Sequence, residues 1–497
     1  MDTNIDWRHA EEFPALITAC ASTVDYIGFH AVHSPTRHAI LLNGVGVTYS
    51  KFYRDIAKMV ASLEELSPQP GHIYAVESPE FYTHCLIVLA LDALGVCTLS
   101  YVPNEIEAIQ DTLAKVEMAI CSPDGVADCV VRVHVLDPAW AKRVCEAVPV
   151  VPIQPRVADP SAALRLVKSS GTTGQVKAMI HTRAIHEARL HRSQMHLGFG
   201  KNSRYLMTMG FSIQASHLEA TGCIRAGGMC VYEDRIPLHD ALAKYDISEA
   251  LFLPKVLLQL LDGIPKNYTR RDRLRIMTLG APVSNPVRKR VADLLGATVL
   301  ESYGTNESGT ICRMRPDSIG TVIPGVQVET VDDDDQPVFD APGFVRVKSN
   351  GCVEAYLDSP DETREKFRDG WFYPGDMAVM RDRRTLLLLG RADDLINVGG
   401  VKVSPRTFED DLVKSLQVDD AALAIVDDDQ GKPQYWLAVV PTDGEAVADI
   451  AGRAADVLPT KLRSVKLIGV KAIPRTETGK IQRYKLKQTL KHLQEKH

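Results

Sequence analysis

The sequence predicts an α/β protein with a large N-terminal domain and a small C-terminal one. Short apolar runs of strand length alternate with helical stretches through the first ~150 residues. A glycine- and hydroxyl-rich run then follows the strand-like segment 164–167. At 497 residues the chain exceeds one core, and length alone suggests about three domains or subdomains.

Taken in order, 10–30 and 49–66 read as helices and 73–76 as a short strand. Apolar residues at helical spacing make 81–94 a helix, and 97–101 reads as a buried strand. This alternation builds parallel sheets covered by helices. The Pro- and Val-rich stretch 147–160 is a connection into the glycine run. Beyond it, 183–197 is helical, and 251–253, 274–279 and 297–301 are strands. Pro324-Gly325 and Pro342-Gly343 divide 319–350 into short strands. The acidic run 332–335 is a solvated turn. The predicted domains are 1–390 and 395–497, joined by Arg391-Ala392-Asp393-Asp394. The Lys-rich end reads as a solvated helix, Lys480 excepted.

Composition excludes several classes. A net charge of −6 offers neither a basic footprint for nucleic acid nor a polybasic patch for membranes. The ten cysteines form no Cys-x2-Cys pair and read as small core residues of a reducing compartment. No apolar run approaches a membrane span of ~20 residues, and the N-terminus lacks the basic and apolar regions of a signal peptide. A cytoplasmic protein is expected. His181, His186, His191 and His196 recur every five residues. Five residues advance a helix by about 500°, so these rings do not share one zinc-binding face.

The run Ser169-Ser170-Gly171-Thr172-Thr173-Gly174-Gln175-Val176-Lys177 carries the most chemistry. Glycines let backbone N–H groups curl around an anion, hydroxyls add donors, and a lysine adds a point charge. It reads as a polyphosphate cradle for ATP, although its spacing is not that of the P-loop. Four further motifs follow: Glu301-Ser302-Tyr303-Gly304-Thr305-Asn306-Glu307, Trp371-Phe372-Tyr373-Pro374-Gly375-Asp376, Gly390-Arg391 through Gly399-Gly400, and Pro474-Arg475-Thr476-Glu477-Thr478-Gly479-Lys480.

In this order and at these separations the five motifs closely resemble the adenylate-forming (ANL) superfamily. That group holds acyl- and aryl-CoA synthetases, peptide-synthetase adenylation domains and luciferases. The resemblance covers nearly the whole chain. It implies a large domain with a distorted barrel beside its sheets, and a small α+β C-terminal domain that rotates about a hinge at Asp393. It implies activation of a carboxylic acid by ATP and Mg²⁺ to an acyl-adenylate, with pyrophosphate released. Ser169 through Gly174 and Lys177 would hold the phosphates. Glu307 is the expected Mg²⁺ contact, with Asn306 beside it. Tyr303 would pack on adenine, Gly304 permitting close approach. The nucleotide site would further include Gly280, Ala281, Pro282, Glu301, Ser302 and Thr305. Asp376 would accept from the ribose hydroxyls, with Arg391 nearby. Lys480 matches the family's catalytic lysine, and Gly399-Gly400 would line the acceptor tunnel. Val176, Asn306 and Pro374 depart from the usual pattern.

The resemblance places the acyl pocket at Phe211, Ser212, Gln214, His217, Thr278 and Gly280. Amino-acid-activating domains carry an aspartate where Ser212 stands, which disfavours a free α-amino acid. Polar groups in an apolar frame suit an aryl, heteroaryl or functionalised medium-size acid. CoA thiol is the first expectation for the acceptor. A free amine and a separate carrier protein are alternatives, since the sequence to His497 shows no appended carrier domain. A non-catalytic adenylate-binding protein and an ADP-releasing phosphotransferase are the rival classes.

Overall fold

The computed structural model describes residues 21–149, 151–157, 159–170, 176–270, 273–278, 283–392, 396–398, 401–403, 409, 412–413, 415–427, 433–442, 445–457, 465–475 and 481–494. The first sheet has six strands in the order Val133–Val135, Met118–Cys121, Ile73–Val76, Cys97–Ser100, Ala163–Ser170 and Val176–Thr182. All neighbours are parallel except the last pair, an antiparallel hairpin. Strands such as Met118–Cys121 are buried at every position, as a parallel strand covered on both faces must be.

The second sheet begins with the hairpin His38–Leu42/Val45–Thr48, turned by Asn43-Gly44, both at positive φ. Parallel strands follow in the order Met229–Tyr232, Arg204–Met207, Glu249–Phe252, Arg275–Thr278 and Thr298–Thr305. Thr298–Thr305 pairs parallel with Arg275–Thr278 through its first half and antiparallel with Gly309–Met314 through its second. The sheet then runs on antiparallel through Ile319–Val322, Thr385–Arg391, Asp376–Asp382 and Pro342–Lys348. The expected distorted barrel is therefore an open extension of this sheet. No closed barrel forms among the described residues.

Helix Phe81–Ala93 is apolar on nearly all sides and is buried from Phe81 to Ala93 apart from Tyr82 and Thr83. It shares one core with Tyr74 and Val76 of the first sheet and Tyr205, Met207 and Cys230 of the second. Each such aliphatic or aromatic side chain contributes about 1.5–3 kcal/mol by leaving water. Helix Arg183–Leu197 matches its predicted bounds. Thr182 caps its start by accepting from the Ile185 N–H at 3.2 Å, and left-handed Gly198 ends it.

The C-terminal part contains a three-stranded sheet of Asp420–Asp427, Pro433–Val440 and Lys466–Gly469 with helices Val447–Val457 and Arg483–Gln494. Its apolar residues form two clusters of their own, one of them around Leu423 and Leu437. Half-buried Arg483 holds buried Glu409 through two bonds of 2.8 and 2.9 Å.

Candidate nucleotide and acyl site

The strands flanking the glycine run pair Ser169 with Lys177 and Ser170 with Val176. Gly171, Thr172, Thr173, Gly174 and Gln175 lie outside the described residues. Lys177 is buried, with its Nζ 2.6 Å from Glu362 Oε1 and 5.1 Å from the centre of the Tyr356 ring. The expected phosphate lysine is thus ion-paired in this conformation.

Asn306 and Glu307 sit against the same hairpin. The Asn306 amide donates to the Lys168 carbonyl at 3.0 Å. Glu307 is buried, and the Tyr356 hydroxyl donates to its Oε1 at 3.0 Å. Burial beside this carboxylate pushes the Tyr356 phenol well above its ordinary pKa, so it stays a donor. Thr305 Oγ1 accepts from the Glu307 and Ser308 N–H groups at 3.2 Å each and fixes the turn. Glu307 has no ion-pair partner among the described residues. A buried, oxygen-only carboxylate of this kind fits a Mg²⁺ ion that shares its other ligands with phosphate and water.

Three bonds from one guanidinium set the backbone at this point. Arg189 Nη1 donates to the Asn306 carbonyl at 2.9 Å, Nη2 to the Glu307 carbonyl at 2.8 Å and Nε to the Gly351 carbonyl at 2.9 Å. Burial lowers its pKa to about 9, still charged at neutrality. Arg192 follows one turn later, donating to the Thr310 carbonyl at 3.3 Å. Its guanidinium fills the space where a Cβ on Gly351 would stand, 1.3 Å from Nη2. Sequence reasoning missed this clamp. The available signal was the three-residue spacing Arg183, His186, Arg189, Arg192, which turns a polar face inward on a helix with few apolar residues.

Tyr303 is buried in the core of the antiparallel extension, and its hydroxyl donates to Asp376 Oδ2 at 2.7 Å. Burial, then Asp376, raises the Tyr303 pKa well above its ordinary value. Gly375 takes a φ of +83°, which favours glycine and turns the chain into Asp376. Arg391 pairs opposite Asp376 in the ladder and donates to the Pro374 carbonyl.

Two further motif residues make contacts within the sheet. The Glu301 carboxylate accepts from the Val283 N–H and pairs with Arg288, anchoring the chain just after 279–282. Gly304 lies close against the neighbouring strand, since a Cβ there would lie 2.4 Å from the Gly309 carbonyl oxygen. Ser302, on the alternate side of that strand, is exposed.

At the expected acyl pocket, Phe211 is buried and packs edge-on against Phe81 at 5.1 Å and His217 at 5.3 Å. Gln214 and His217 are buried rather than solvent-facing, and Ser212 is half-buried. Thr278 ends its strand with a buried hydroxyl that has no partner among the described residues. Gly280, Ala281, Pro282, Asp393, Gly399, Gly400 and Lys480 lie outside the described residues. No group of three metal-ligating side chains occurs among the described residues, nor a helix long and apolar enough to cross a membrane. Six of the nine described cysteines are buried, and Cys145 is exposed.

Comparison with known proteins fits this geometry. The 3-hydroxybenzoate–CoA ligase of Aromatoleum sp. (strain CIB) is 25% identical over 347 residues. The match covers 65% of this chain and 66% of that relative's own length, just under two thirds. ATP-bound MatB from Rhodopseudomonas palustris superposes with a TM-score of 0.83 at 20% identity, over 96% of this chain and 99% of that one. Amide bond synthetase McbA from Marinactinospora thermotolerans gives a TM-score of 0.80 at 22% identity, over 94% and 99%. Both likenesses show a shared fold. The family model described as AMP-binding enzyme matches residues 29–357, well over half of the sequence. The chain belongs to the AMP-binding enzyme family, within the adenylate-forming superfamily.

Proposed function

We propose that the protein activates a carboxylic acid with MgATP. An acid oxygen attacks the α-phosphorus, the bond to the β-phosphate bridge breaks, and acyl-AMP and pyrophosphate form. The observation that carries this reading is one contiguous patch. Asn306 touches the hairpin at Lys168, Glu307 meets Tyr356, Tyr356 stacks under Lys177, and Tyr303 reaches Asp376. Both reactants are anions, so alignment and charge neutralisation dominate the barrier.

Each residue has a task in this reading. Asp376, held by the Tyr303 hydroxyl, accepts from the ribose. Glu307, oriented by Tyr356 and by the Arg189 clamp on its carbonyl, faces the phosphates. Magnesium bound there would neutralise phosphate oxygens. Lys177 exchanges Glu362 for a phosphate oxygen when nucleotide arrives. Lys480 supplies a cation at the reacting centre, and the C-terminal domain turns about Asp393 to bring Gly399-Gly400 up for the second step. The acid is an aryl, heteroaryl or functionalised medium-size one, read by the polar groups around Phe211.

CoA thiol is the proposed acceptor, supported by the CoA-ligase relative. Its sulfur attacks the acyl carbon, AMP leaves, and a thioester forms. An amine acceptor is the second reading, since an amide bond synthetase shares the fold. The test is exchange of labelled pyrophosphate into ATP across a panel of acids, with nucleotide products separated. Acid-dependent exchange and AMP release are expected. ADP release without exchange would replace adenylation by phosphotransfer.

A further inference from the structure

We propose, resting on the adenylation reading, that the acid taken by this site carries a second anionic group, and that the Arg165 guanidinium binds it. Arg165 lies on strand Ala163–Ser170, on the same face as Ser169. Their Cα atoms are about 13 Å apart by strand rise, the span of a compact acid plus an arginine side chain.

Arg165 is only 3% exposed. Nη2 donates to the Phe211 carbonyl at 3.1 Å and, at 3.4 Å, to Ser100 Oγ. Nε and Nη1 have no partner among the described residues, and no described carboxylate forms an ion pair with Arg165. Neighbouring arginines are held by carboxylates or by several carbonyls, although buried Arg192 likewise has no described carboxylate and an Nη2 with no partner among the described residues. Arg183 pairs with Asp92, Arg225 takes Glu187 through two bonds of 2.7 Å, and Arg189 holds three carbonyls. An uncompensated buried cation is costly and calls for an anion.

The surroundings supply neutral donors and acceptors instead of a counter-charge. His84 shares Ser100 Oγ at 2.9 Å, His217 lies against Phe211, and His186 lies 5.5 Å from His217. Both amide atoms of Gln214 and the Nδ1 atoms of His217 and His186 are buried without partners among the described residues. Burial and the Arg165 charge keep these imidazoles neutral, so they do not compete for the anion. A charged guanidinium with N–H groups that have no partner among the described residues, beside an amide in the same state, suits a carboxylate. The unfilled atoms lie next to Phe211, at the pocket expected for the acyl group.

The experiment is pyrophosphate exchange with aliphatic α,ω-diacids and benzene dicarboxylates, each beside its monomethyl ester. Wild-type protein should prefer the diacid by about 100-fold in kcat/KM, the scale of a charge-assisted hydrogen bond. Arg165→Met should erase that preference through KM for the acid, leaving KM for ATP unchanged, and Arg165→Lys should restore part of it. Equal use of ester and diacid by wild-type protein would overturn the proposal, even if Arg165→Met does not fold. So would a diacid preference that survives in folded Arg165→Met. Exchange with monoacids alone would refute the second anion and leave adenylation standing. No exchange with any acid would remove both.

Discussion

Replacing Arg189 by Met would show whether Glu307 is held in place or merely present. The substitution removes three charged donors, at 2.8 to 2.9 Å, from the carbonyls of Asn306, Glu307 and Gly351. Each buried carbonyl left without a donor costs about 1–3 kcal/mol. Loss of the desolvated cation offsets part of that, so a net destabilisation of about 3–5 kcal/mol is expected. The functional effect is geometric. A shift of about 1 Å in a catalytic group costs on the order of 10²-fold. Arg189→Met should therefore lower kcat for acid-dependent pyrophosphate exchange by about 100-fold and raise the Mg²⁺ concentration needed for half-maximal rate. Arg189→Lys keeps charge but cannot span three carbonyls, and should recover stability more than rate. Circular dichroism melts establish that the variants are folded at the assay temperature. A folded Arg189→Met with wild-type kcat and wild-type Mg²⁺ dependence would refute the clamp.

Other substitutions separate the remaining roles. Tyr303→Phe deletes the 2.7 Å bond to Asp376 and should raise KM for ATP by about 5–10-fold with little change in KM for the acid. Equal changes in both would mean that Asp376 is not the ribose acceptor. Glu301→Gln leaves Arg288 without its charge partner and should cost about 3–5 kcal/mol by denaturant unfolding. A loss confined to ATP affinity would place Glu301 in the nucleotide site instead. Lys480→Ala should cripple acyl-AMP formation while hardly altering thiolysis of supplied acyl-AMP, and matched losses would contradict the swinging domain. Stability should fall in mild acid. Burial holds His84, His181, His186, His196 and His217 below their ordinary pKa, His84 at about 3 and His196 at about 4. These rings bind protons only after unfolding, so acid favours the unfolded chain, whereas Glu219, raised to about 7, binds its proton in the fold and opposes them. A net uptake of about four protons predicts a loss of about 5 kcal/mol per pH unit between about pH 6 and 5. Flat unfolding free energies across that window would place these rings in water.

The sequence made the regular elements legible where pattern and punctuation agreed. Helix 183–197 had both its bounds readable because Thr182 and Gly198 are chemical stops. Helix 81–94 was readable from its apolar content, and the structure ends it at Ala93. The strand read as 297–301 runs on to Thr305, because Gly304 lets it lie against Gly309. The hairpin at Asn43-Gly44 carried a turn signal that went unread. The motifs located Asn306, Glu307, Tyr303 and Asp376, whose contacts join elements distant in sequence. Tyr356 had no such mark, since its link to the site among the described residues is tertiary, through Glu307 and Lys177. Arg165 did carry one: a single charge inside the apolar segment 164–167.

The central claim is that nucleotide lies along 169–177 with its ribose at Asp376. A crystal structure with MgATP tests it most directly. Triphosphate density beside Ser169 and Lys177, metal at Glu307 and ribose hydroxyls on Asp376 are the predicted result. Nucleotide bound instead in the basic cleft lined by Arg37, Arg204, Arg273 and Arg275, with Asp376 untouched, would contradict it.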